Sequence, residues 1–533
     1  MNRSDAIDRA LALSSNRQVS THFGSASGAA GVSALFASVV VVGVWLGEGG
    51  DLRRAVGLSL FLAGMIVWVE MLDSRRRLRR RHNFRRHQGR AELVRHRGRA
   101  RRRMWTLVGI LLAGGAGMAR STAEWSAVDS VRLGSYSGEA TVVGDSKEAG
   151  KGRRIVLEVD GQRFETWVFG SKRHRVLQFR SGDVITVQGT RREFAGDRTR
   201  RAQIRHVLGR FEVSEMAAVP DGHQRSSPLV RAANRVRGMI RNGADHLDAE
   251  EAALFTGIVY GDDSSQPPEM VANFRASGLA HLTAVSGQNV VYVMAMAGPF
   301  LTRMRNPWRV GCTIVILVWF AIMTRLEPSV VRAVFMAGTS ALMTGVGGPV
   351  SSWVALCTTV GGASLIDPFL VWSVGWWLSV AGCAGLILVT PPVVSLLERF
   401  PTWVSSWVSP TIAAQTGVLG VIVGVFGWPS AMSVPCNLLA APVAGSVMLI
   451  GLPVAILSGL MPASMGHTVM TPLGWGVGWV DAVAALGARF DPPLAFDIAV
   501  SLVLVGVSAR AVVRFHLRRQ NFDHGVSTDH PPL

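Results

Sequence analysis

The chain has 533 residues, of which 49% are hydrophobic, and yet it carries a formal net charge of +19. These figures are compatible only when basic and apolar residues occupy separate stretches, and uninterrupted apolar runs of about 18 or more residues recur from Gly28 onward. The composition therefore excludes a soluble globular protein and predicts a polytopic α-helical membrane protein with about 11–12 spans.

The amino-terminal part is predicted to hold a tail and a first membrane region. Residues 1–27 are mostly polar and lack an apolar core with a cleavage site, so we expect a cytoplasmic tail and no cleavable signal peptide. Residues 28–119 hold three apolar segments, at 28–46, 55–72 and 104–119. Loop 74–103 contains fifteen arginines and one glutamate, and the positive-inside rule places it in the cytoplasm. Contact with anionic lipid or nucleic-acid phosphate is a second role that this composition leaves open.

Residues 131–216 have the alternating pattern of short β-strands. Asp160-Gly161 separates the runs RRIVLEV and QRFETWVFG and is a hairpin signal. About five short strands in this region predict a small closed barrel, and SGDVITVQGTRREF has the turn, alternation and glycine bend common in OB-fold strands. The chain leaves the cytoplasm through the span after the arginine-rich loop, so we expect an OB-like domain on the extracytoplasmic side.

Nucleic-acid contact by this domain is one of two interpretations of its surface. Its 17 lysines and arginines exceed its 11 acidic residues only moderately. Trp167 and Phe169, together with Phe164 and Tyr136, either stack bases, as aromatic residues of such barrels do with single strands, or fill the barrel interior.

Residues 229–275 are predicted to form amphipathic surface helices. Apolar residues between Leu229 and Ile240 recur at helical spacing while arginines occupy the other faces. The first helix either lies on the membrane surface or packs on the barrel, and the pattern supports both equally.

Residues 276–513 are predicted to be the main membrane domain. The loop RMRNPWR and the final ARAVVRFHLRR are basic, so both are expected inside, with a cytoplasmic tail at 514–533. Beyond the polar cluster at the start of this domain, the predicted spans are 310–324, 329–346, 351–366, 369–390, 411–427, 437–460, 471–486 and 494–513.

A polar cluster in GLAHLTAVSGQNVVYV lies at the entrance to this domain. Polar side chains at membrane depth are expensive, which makes them candidates for a function. On one continuous helix, Thr283, Ser286, Asn289 and Tyr292 would form a drifting polar stripe that serves either helix packing or a water-filled path. The candidate path residues in this cluster are Ser277, Gly278, His281, Thr283, Ser286, Gly287, Gln288 and Asn289.

Two further candidate path residues occur in later spans. Arg332 lies about one turn inside an apolar segment, and it either snorkels to the boundary or points into a cavity, where its planar fork suits phosphate. Asn437 lies in GWPSAMSVPCNLLAAPVAG, whose three prolines predict a broken helix of the kind tolerated where it is buried in protein or lines a cavity.

The sequence does not predict an enzyme. On one helix His281 and Ser286 would lie about 140° apart, which disfavours a hydrolytic dyad. Neither a Walker motif nor an HExxH motif occurs, and we expect no metal, no cofactor and no catalytic residue. The four cysteines are scattered singly without ligand spacing, which favours small core residues.

The motifs resemble those of the ComEC competence family of inner-membrane proteins. GLAHLTAVSGQNV, preceded by LFTGIVYGDDSSQPPEMVANFRAS, is similar to its signature. PSVVRAVFMAG, DPFLVWSVGWWLSVAGCAGLIL and NLLAAPVAG follow in the family's order, and the outer OB-like region after amino-terminal spans also matches its arrangement. The resemblance covers most of residues 28–513 and is strongest to the actinobacterial branch.

The resemblance implies a conduit that carries one DNA strand across the cytoplasmic membrane during natural transformation. Such a strand needs a hydrated path and a positive field. The implied partners are single-stranded DNA, the lipid bilayer, a competence pilus or DNA receptor, a cytoplasmic helicase or translocase, and a separate nuclease, with a homodimer as one assembly. The nuclease is expected to be separate because the tail QNFDHGVSTDHPPL lacks the metal cluster of the metallo-β-lactamase-like domain that many family members carry.

Two alternatives belong to other functional classes. One is a secondary transporter of a small or anionic solute that uses the broken helices as its site. The other is an interaction platform, in which the outer domain binds a partner and the membrane part only anchors it.

Overall fold

The computed structural model describes residues 29–48, 89–149, 152–170, 172–194, 196, 198–220, 222, 225–283, 287–345, 351–490 and 492–525. The predicted amino-terminal tail, the span at 55–72, much of the arginine-rich loop and Ser286 lie outside the described residues. The chain divides into two units, residues 1–130 with 347–371, and residues 131–346 with 372–533.

The described helices and strands are these, in chain order. The helices are α1 (Ala29–Gly47), α2 (Gly89–Asp129), α3 (Lys172–Val176), α4 (Arg198–Gln203), α5 (Pro228–Ala244), α6 (Ala249–Tyr260), α7 (Pro268–Ala276), α8 (Ala280–Thr283), α9 (Gly287–Leu301), α10 (Asn306–Met323), α11 (Pro328–Gly345), α12 (Ser352–Ile366), α13 (Val374–Leu396), α14 (Thr402–Phe426), α15 (Ser433–Ser458), α16 (Ala463–Arg489) and α17 (Leu494–Gly525). The strands are β1 (Gly134–Val142), β2 (Lys147–Ala149), β3 (Gly152–Val159), β4 (Gln162–Phe169), β5 (Val184–Arg192) and β6 (Val207–Ala218).

Helices of membrane-spanning character dominate the described residues. Seven of them, α1, α10, α13, α14, α15, α16 and α17, are long and apolar enough to cross a bilayer, and α12 is a shorter apolar helix. Large apolar side chains such as Val315, Trp475 and Leu502 are well exposed on these helices, as lipid contact requires. The protein is therefore a polytopic helical membrane protein, as predicted, and the total of 11–12 spans stays a prediction.

The first unit contains closely packed helices. A Cβ atom on Gly43 of α1 would lie 2.3 Å from the carbonyl oxygen of Gly114 on α2, so the two backbones touch. The ring of Phe36 on α1 packs against Gly361 of α12, where the absence of a side chain leaves room for it. Small residues at such crossings let helices approach in lipid, where van der Waals packing drives association.

Two helices begin before the predicted spans that they contain. Helix α14 begins at Thr402 and α16 at Ala463, several residues before the predicted starts at 411 and 471. The extra turns are rich in hydroxyl residues that lower the hydropathy, but their side chains bond within the helix. Ser406 Oγ donates to the carbonyl of Thr402 at 2.7 Å, and Thr468 Oγ1 donates to that of Ser464 at 3.0 Å.

The predicted break around Asn437 is correct in part. The chain leaves helix at Gly427, whose φ of 90° favours glycine, and α15 begins at Ser433. From there the helix continues through Pro442 and Pro453. Asn437 therefore lies in the early turns of a continuous helix, because neighbouring helices can support prolines within a span.

Helices α13 and α14 pack through paired glycines. A Cβ atom on Gly417 would lie 2.4 Å from the carbonyl oxygen of Ala381, and one on Gly385 would lie 2.3 Å from that of Ala413. Because the obstructing atoms are backbone, no rotamer change can relieve the clash.

Replacing Gly417 by alanine is expected to destabilise the helix pair by about 1–3 kcal/mol, as overpacking does in a filled core. Gly420 on the same helix has no atom within 4 Å of its Cβ position, so Gly420→Ala is the matched control. Thermal unfolding of the detergent-solubilised chain measures both. Equal melting temperatures for the two variants would contradict the packing.

The β-strands form one six-stranded sheet in the order β1-β5-β6-β4-β3-β2. β4 and β6 are parallel, and the other neighbours are antiparallel. β1 also pairs with β3, at Thr141 with Glu158 and at Val142 with Leu157. The buried residues alternate along β3 and β4 and join one apolar core that includes Phe164 and Phe211.

The β-domain (β1–β6) contacts the helices through charged groups. Asp145 Oδ2 contacts the guanidinium of Arg325, in the turn between α10 and α11, and lies 3.9 Å from Nη1 of Arg237 on α5. The Asn234 side chain on α5 also donates to the Ser181 carbonyl at 2.8 Å. Helix α5 thus packs on the β-domain, one of the two arrangements its sequence allowed, and it buries Ile240 among the membrane helices as well.

Candidate functional site

Ser277 and Gly278 lie in a tight helix contact. Ser277 follows α7 and is fully buried, with its Oγ donating to the Phe274 carbonyl at 3.4 Å. A Cβ atom on Gly278, whose φ is +74°, would lie 2.5 Å from the Cβ of Ser433 on α15. The position needs glycine for both its conformation and its space. Gly278 therefore lies against the start of α15, and Ser277 lies against Gly487 of α16, whose Cβ position is 2.9 Å from the Ser277 Cβ.

His281 and Thr283 lie on the short helix α8. The ring of His281 is exposed and its Nδ1 is 3.2 Å from the Gly278 carbonyl, while Thr283 Oγ1 donates to the Ala280 carbonyl at 3.1 Å. His281 also lies beside Asn437 of α15. Two candidates from distant motifs are thus neighbours in the fold.

Asn437 is half-buried and only partly bonded. Its amide nitrogen lies 3.4 Å from Oγ1 of Thr411 on α14. Its Oδ1 is buried and makes no hydrogen bond of ordinary geometry within the described residues. Such an acceptor is costly in an apolar environment unless a donor reaches it at least part of the time.

The polar residues at the start of α9 point in different directions. Asn289 is buried and its amide donates to the Ile258 carbonyl on α6 at 3.1 Å. Gln288 is exposed and its amide donates to the hydroxyl of Tyr292 at 2.5 Å. Asn289 therefore packs against α6, whereas Gln288 and Tyr292 present polar groups on another face.

Arg332 is the most unusual of the predicted residues. It lies on α11 and is only 5% exposed. Its Nε donates to Ser379 Oγ at 2.6 Å, and its Nη1 lies 2.8 Å from Cys383 Sγ, both on α13. The side chain thus runs inward to α13, and it takes part in none of the ion pairs found among the described residues.

Gly287 and Arg332 come together although 45 residues separate them in the sequence. A Cβ atom on Gly287 would lie 2.3 Å from Arg332 Nη2, so the guanidinium occupies the space that a side chain would take. Sequence reasoning missed Ser379, Cys383 and Thr411 as partners. The sequence signal for each of these partners was a hydroxyl or thiol group within an apolar run. Such groups are too common in apolar runs to single out a residue.

The predicted aromatic residues of the β-domain separate into two classes. Phe164 is fully buried in the core, whereas Trp167 is half-buried and Phe169 is 53% exposed on β4. Because side chains alternate along a strand, Trp167 and Phe169 lie together on the outer face. Tyr136 is half-buried, with the Arg191 guanidinium 5.1 Å from its ring centre.

The described residues contain no group of three or more His, Cys, Asp or Glu side chains that could hold a metal ion. All four cysteines are free and occur singly. The polar side chains that the fold brings together around α8, α9 and α11 are hydroxyls, amides, an imidazole, a thiol and a guanidinium.

The sequence profile of the family described as Competence protein matches residues 258–516, from within α6 to the end of the last span. These residues belong to the competence protein family. The predicted family is thereby confirmed. Residues 258–516, here called the competence domain, contain every predicted path residue, and the β-domain lies outside this range.

Two curated relatives share part of this region. ComE operon protein 3 of Bacillus subtilis (strain 168) is 25% identical over 273 residues, which are 49% of this chain and 34% of that protein. The uncharacterized protein YcaI of Escherichia coli (strain K12) is 26% identical over 144 residues, 25% of this chain and 19% of that protein. The matches thus span a minor part of each relative. No solved structure matches the chain.

Proposed function

We propose that this protein takes part in competence DNA uptake by passing a single DNA strand across the cytoplasmic membrane. The observation that carries the proposal is the competence domain itself, whose matched residues enclose a buried arginine without an acidic partner in the described structure. A strand with one negative charge per nucleotide needs a compensating positive group wherever it crosses an apolar region. We assign the path to the polar groups around α8, α9, α11 and the start of α15.

The β-domain is assigned here as an OB-like barrel that receives the strand. The assignment is supported by the cyclic pairing of β1 with β5, β5 with β6, β6 with β4, β4 with β3, and β3 with β1. It is also supported by the outward Trp167 and Phe169 on a strand of that ring. Aromatic platforms of this kind bind single strands by base stacking, with little sequence preference.

We place the β-domain outside and both termini in the cytoplasm. The support comes from the two ends of α10. The amino-terminal end of α10 follows the exposed Arg303 and Arg305. Arg325, just after the carboxyl-terminal end of α10, contacts Asp145 of the β-domain. A basic loop favours the cytoplasm, so the opposite end of the span and the β-domain belong outside. The exposed Arg518, the last residue of the candidate span within α17, is consistent with a cytoplasmic carboxyl terminus.

The proposed role is conduction without chemistry or a resident cofactor. A separate nuclease would then degrade the second strand, a pilus component or receptor would deliver the duplex, and a cytoplasmic helicase or translocase would draw the strand inward. One proposed assembly is a homodimer in which the competence domains of the two subunits share the DNA path.

The test is strand-specific uptake in a competent host. Deletion of this gene is expected to abolish DNase-resistant label from duplex DNA in which one strand is labelled, while binding of duplex at the cell surface persists. Reintroduction of the wild-type gene restores the signal. Unchanged uptake in the deletion strain would overturn the proposal. If DNA uptake stays normal and the deletion instead abolishes transport of a small anionic solute, the transporter alternative is favoured.

A further inference from the structure

Two arginine side chains are buried where the β-domain meets the helices, and neither is fully hydrogen-bonded. Arg237 of α5 and Arg325, in the turn after α10, have side chains that are 7% and 20% exposed. The Nε atom of each is buried and has no hydrogen-bond partner among the described residues. Buried N–H groups are nearly always paired in folded proteins, because an unpaired one is costly. These two guanidinium groups therefore need a further acceptor.

The carboxylate beside them supplies too few acceptor positions. Asp145 Oδ2 contacts the Arg325 guanidinium and lies 3.9 Å from Arg237 Nη1. Its Oδ1 accepts a hydrogen bond from the Ser181 N–H at 3.1 Å. Two guanidinium groups carry about ten N–H donors, whereas one carboxylate offers about four acceptor positions. Asp145 alone therefore cannot satisfy both arginines.

The other nearby carboxylates leave the two buried Nε groups unpaired. Asp262 acts electrostatically on Arg237. The oxygens of Asp262 already accept hydrogen bonds from Arg241, Tyr260 and Ser264. Glu327 acts on Arg325, but its side chain is exposed to solvent. An acceptor for the buried pair thus has to come from outside the described residues.

An anion with several oxygens suits this place. Phosphate oxygens accept hydrogen bonds from the planar fork of an arginine, and such charge-assisted bonds are strong. Further guanidinium groups lie on the solvent side, because Arg241 is 46% exposed and the exposed Arg180 has its Nη1 3.9 Å from the Cβ position of Gly238. Positive groups therefore continue from the buried pair to the solvent.

The register of the sheet connects this junction to the outward aromatic residues of β4. Trp167 pairs with Arg154 of β3, and Arg154 pairs with Lys147 of β2. Directly paired residues lie on one face and neighbouring strands are about 4.8 Å apart, so Lys147 lies about 10 Å from Trp167. Asp145 comes two residues before Lys147 in the chain. A strand stacked on Trp167 thus has a short route along β3 and β2 to the two buried arginines.

We propose that Arg237 and Arg325 form a phosphate-binding site at the junction between the β-domain and the helices. The ligand is a phosphate group. Its source rests on the function proposed above and is a backbone phosphodiester of the strand as it passes from the β-domain to the helices. Asp145 positions the two guanidinium groups, and Arg180 and Arg241 attract the anion at the solvent side.

The test compares two single strands of one sequence, the first with phosphodiester linkages and the second with uncharged methylphosphonate linkages. Fluorescence anisotropy measures their binding to the full chain in phosphatidylcholine nanodiscs. On the phosphodiester strand, Arg237→Gln and Arg325→Gln are each expected to lower affinity roughly tenfold or more and to reduce the salt slope by about 0.7. On the methylphosphonate strand, each variant is expected to match the wild type, because a neutral linkage offers the guanidinium no charge.

Two further variants separate the site from a general effect on folding. Arg237→Lys keeps the charge beside Asp145 but lacks the planar fork, so it is expected to lose part of the affinity for the phosphodiester strand at an unchanged salt slope. This variant also covers a glutamine variant that does not fold. Arg120→Gln is the matched control and is expected to change neither quantity, since Arg120 pairs with Glu124 on α2 at 2.9 Å.

Hydrogen exchange identifies the source of the phosphate. The phosphodiester strand is expected to slow exchange of the amides at 143–146 and 324–327 in phosphatidylcholine discs. If phosphatidylglycerol discs give the same protection without any strand, the ligand is a lipid headgroup and the strand assignment is wrong.

Several outcomes would overturn the site. These are equal affinity of Arg237→Gln and the wild type, an equal loss on both strands, or no binding of the phosphodiester strand at low salt. Uptake distinguishes this failure from failure of the proposed function. If deletion of the gene abolishes strand uptake but Arg237→Gln supports it at the wild-type level, the conduit stands and the phosphate site does not. If the deletion leaves uptake unchanged, the proposed function fails, and the comparison of the two strands still decides the site.

Discussion

Replacing Asp145 by asparagine is expected to weaken the attachment of the β-domain to the helices by about 3–5 kcal/mol, because removal of one partner leaves buried charges uncompensated. Asp145 contacts Arg325 and lies 3.9 Å from Arg237, and the three side chains are 17%, 20% and 7% exposed. Burial lowers the pKa of Arg237 and lowers that of Arg325 to about 10, because desolvation disfavours the charged form. Asp145 thus lies beside two buried guanidinium groups, with Asp262 also acting on Arg237 and Glu327 on Arg325.

The backbone around Arg325 adds to this dependence. Arg325 and Leu326 both have positive φ values, 61° and 56°, a conformation that side-chain-bearing residues adopt at a cost of about 1–3 kcal/mol each. The surrounding contacts must therefore hold the turn in place, and Asp145 and Glu327 are groups of opposite charge near Arg325. Without the charge of Asp145, we expect the turn to relax away from the β-domain.

Hydrogen exchange on the detergent-solubilised chain measures the effect. Amides in the turn at 324–327 and in the connection between β1 and β2 at 143–146 are expected to exchange faster in Asp145→Asn, while those in the centre of α15 do not change. Glu212→Gln is the matched control, since Glu212 and its partner Arg192 are 39% and 63% exposed and such pairs contribute little. Equal protection in the two variants would show that Asp145 does not hold the domains together.

Local pattern predicted the class of structure in this protein. Spans such as α13 and α15 follow from apolar runs without acidic or basic residues, and a short sequence window contains the whole signal. The starts of α14 and α16 were missed because hydroxyl residues lower hydropathy, although they bond to the carbonyl one turn before them. A hydropathy scale counts such a residue as polar even when its hydroxyl group is already hydrogen-bonded within the helix.

The sequence named the candidate residues but not their arrangement. Nothing in the sequence near Arg332 indicates that Gly287 adjoins its guanidinium, since the contact depends on how α9 and α11 pack. Asn289 is a second case. Helical spacing placed it on a polar stripe that serves either helix packing or a water-filled path, and its amide donates to the Ile258 carbonyl in a packed contact. The contacts of each residue in the motif thus depend on how helices that are distant in sequence pack.

Removal of the outward aromatic rings of β4 is expected to weaken single-stranded DNA binding by about 1–3 kcal/mol for each stacked base, or roughly 5- to 150-fold. Phe169 lies across Gly152 of β3, since a Cβ atom there would lie 2.6 Å from its ring, and its other side is exposed. Trp167 is paired in register with Arg154, which bonds to Glu165 on the same face. The two rings therefore offer a supported platform that a base can cover without displacing core residues.

Fluorescence anisotropy with a labelled single strand and the full chain in nanodiscs compares Trp167→Ala and Phe169→Ala with Leu177→Ala. Leu177 is the control because it is an apolar residue of the same domain with 54% exposure. The aromatic variants should lower affinity while the salt dependence stays unchanged, because stacking removes no phosphate contact. Arg173→Gln, on the exposed short helix α3 after β4, should instead reduce the salt slope by about 0.7. If the aromatic variants behave like Leu177→Ala, the strand does not cross this face, and the charged groups alone would have to guide it toward the membrane.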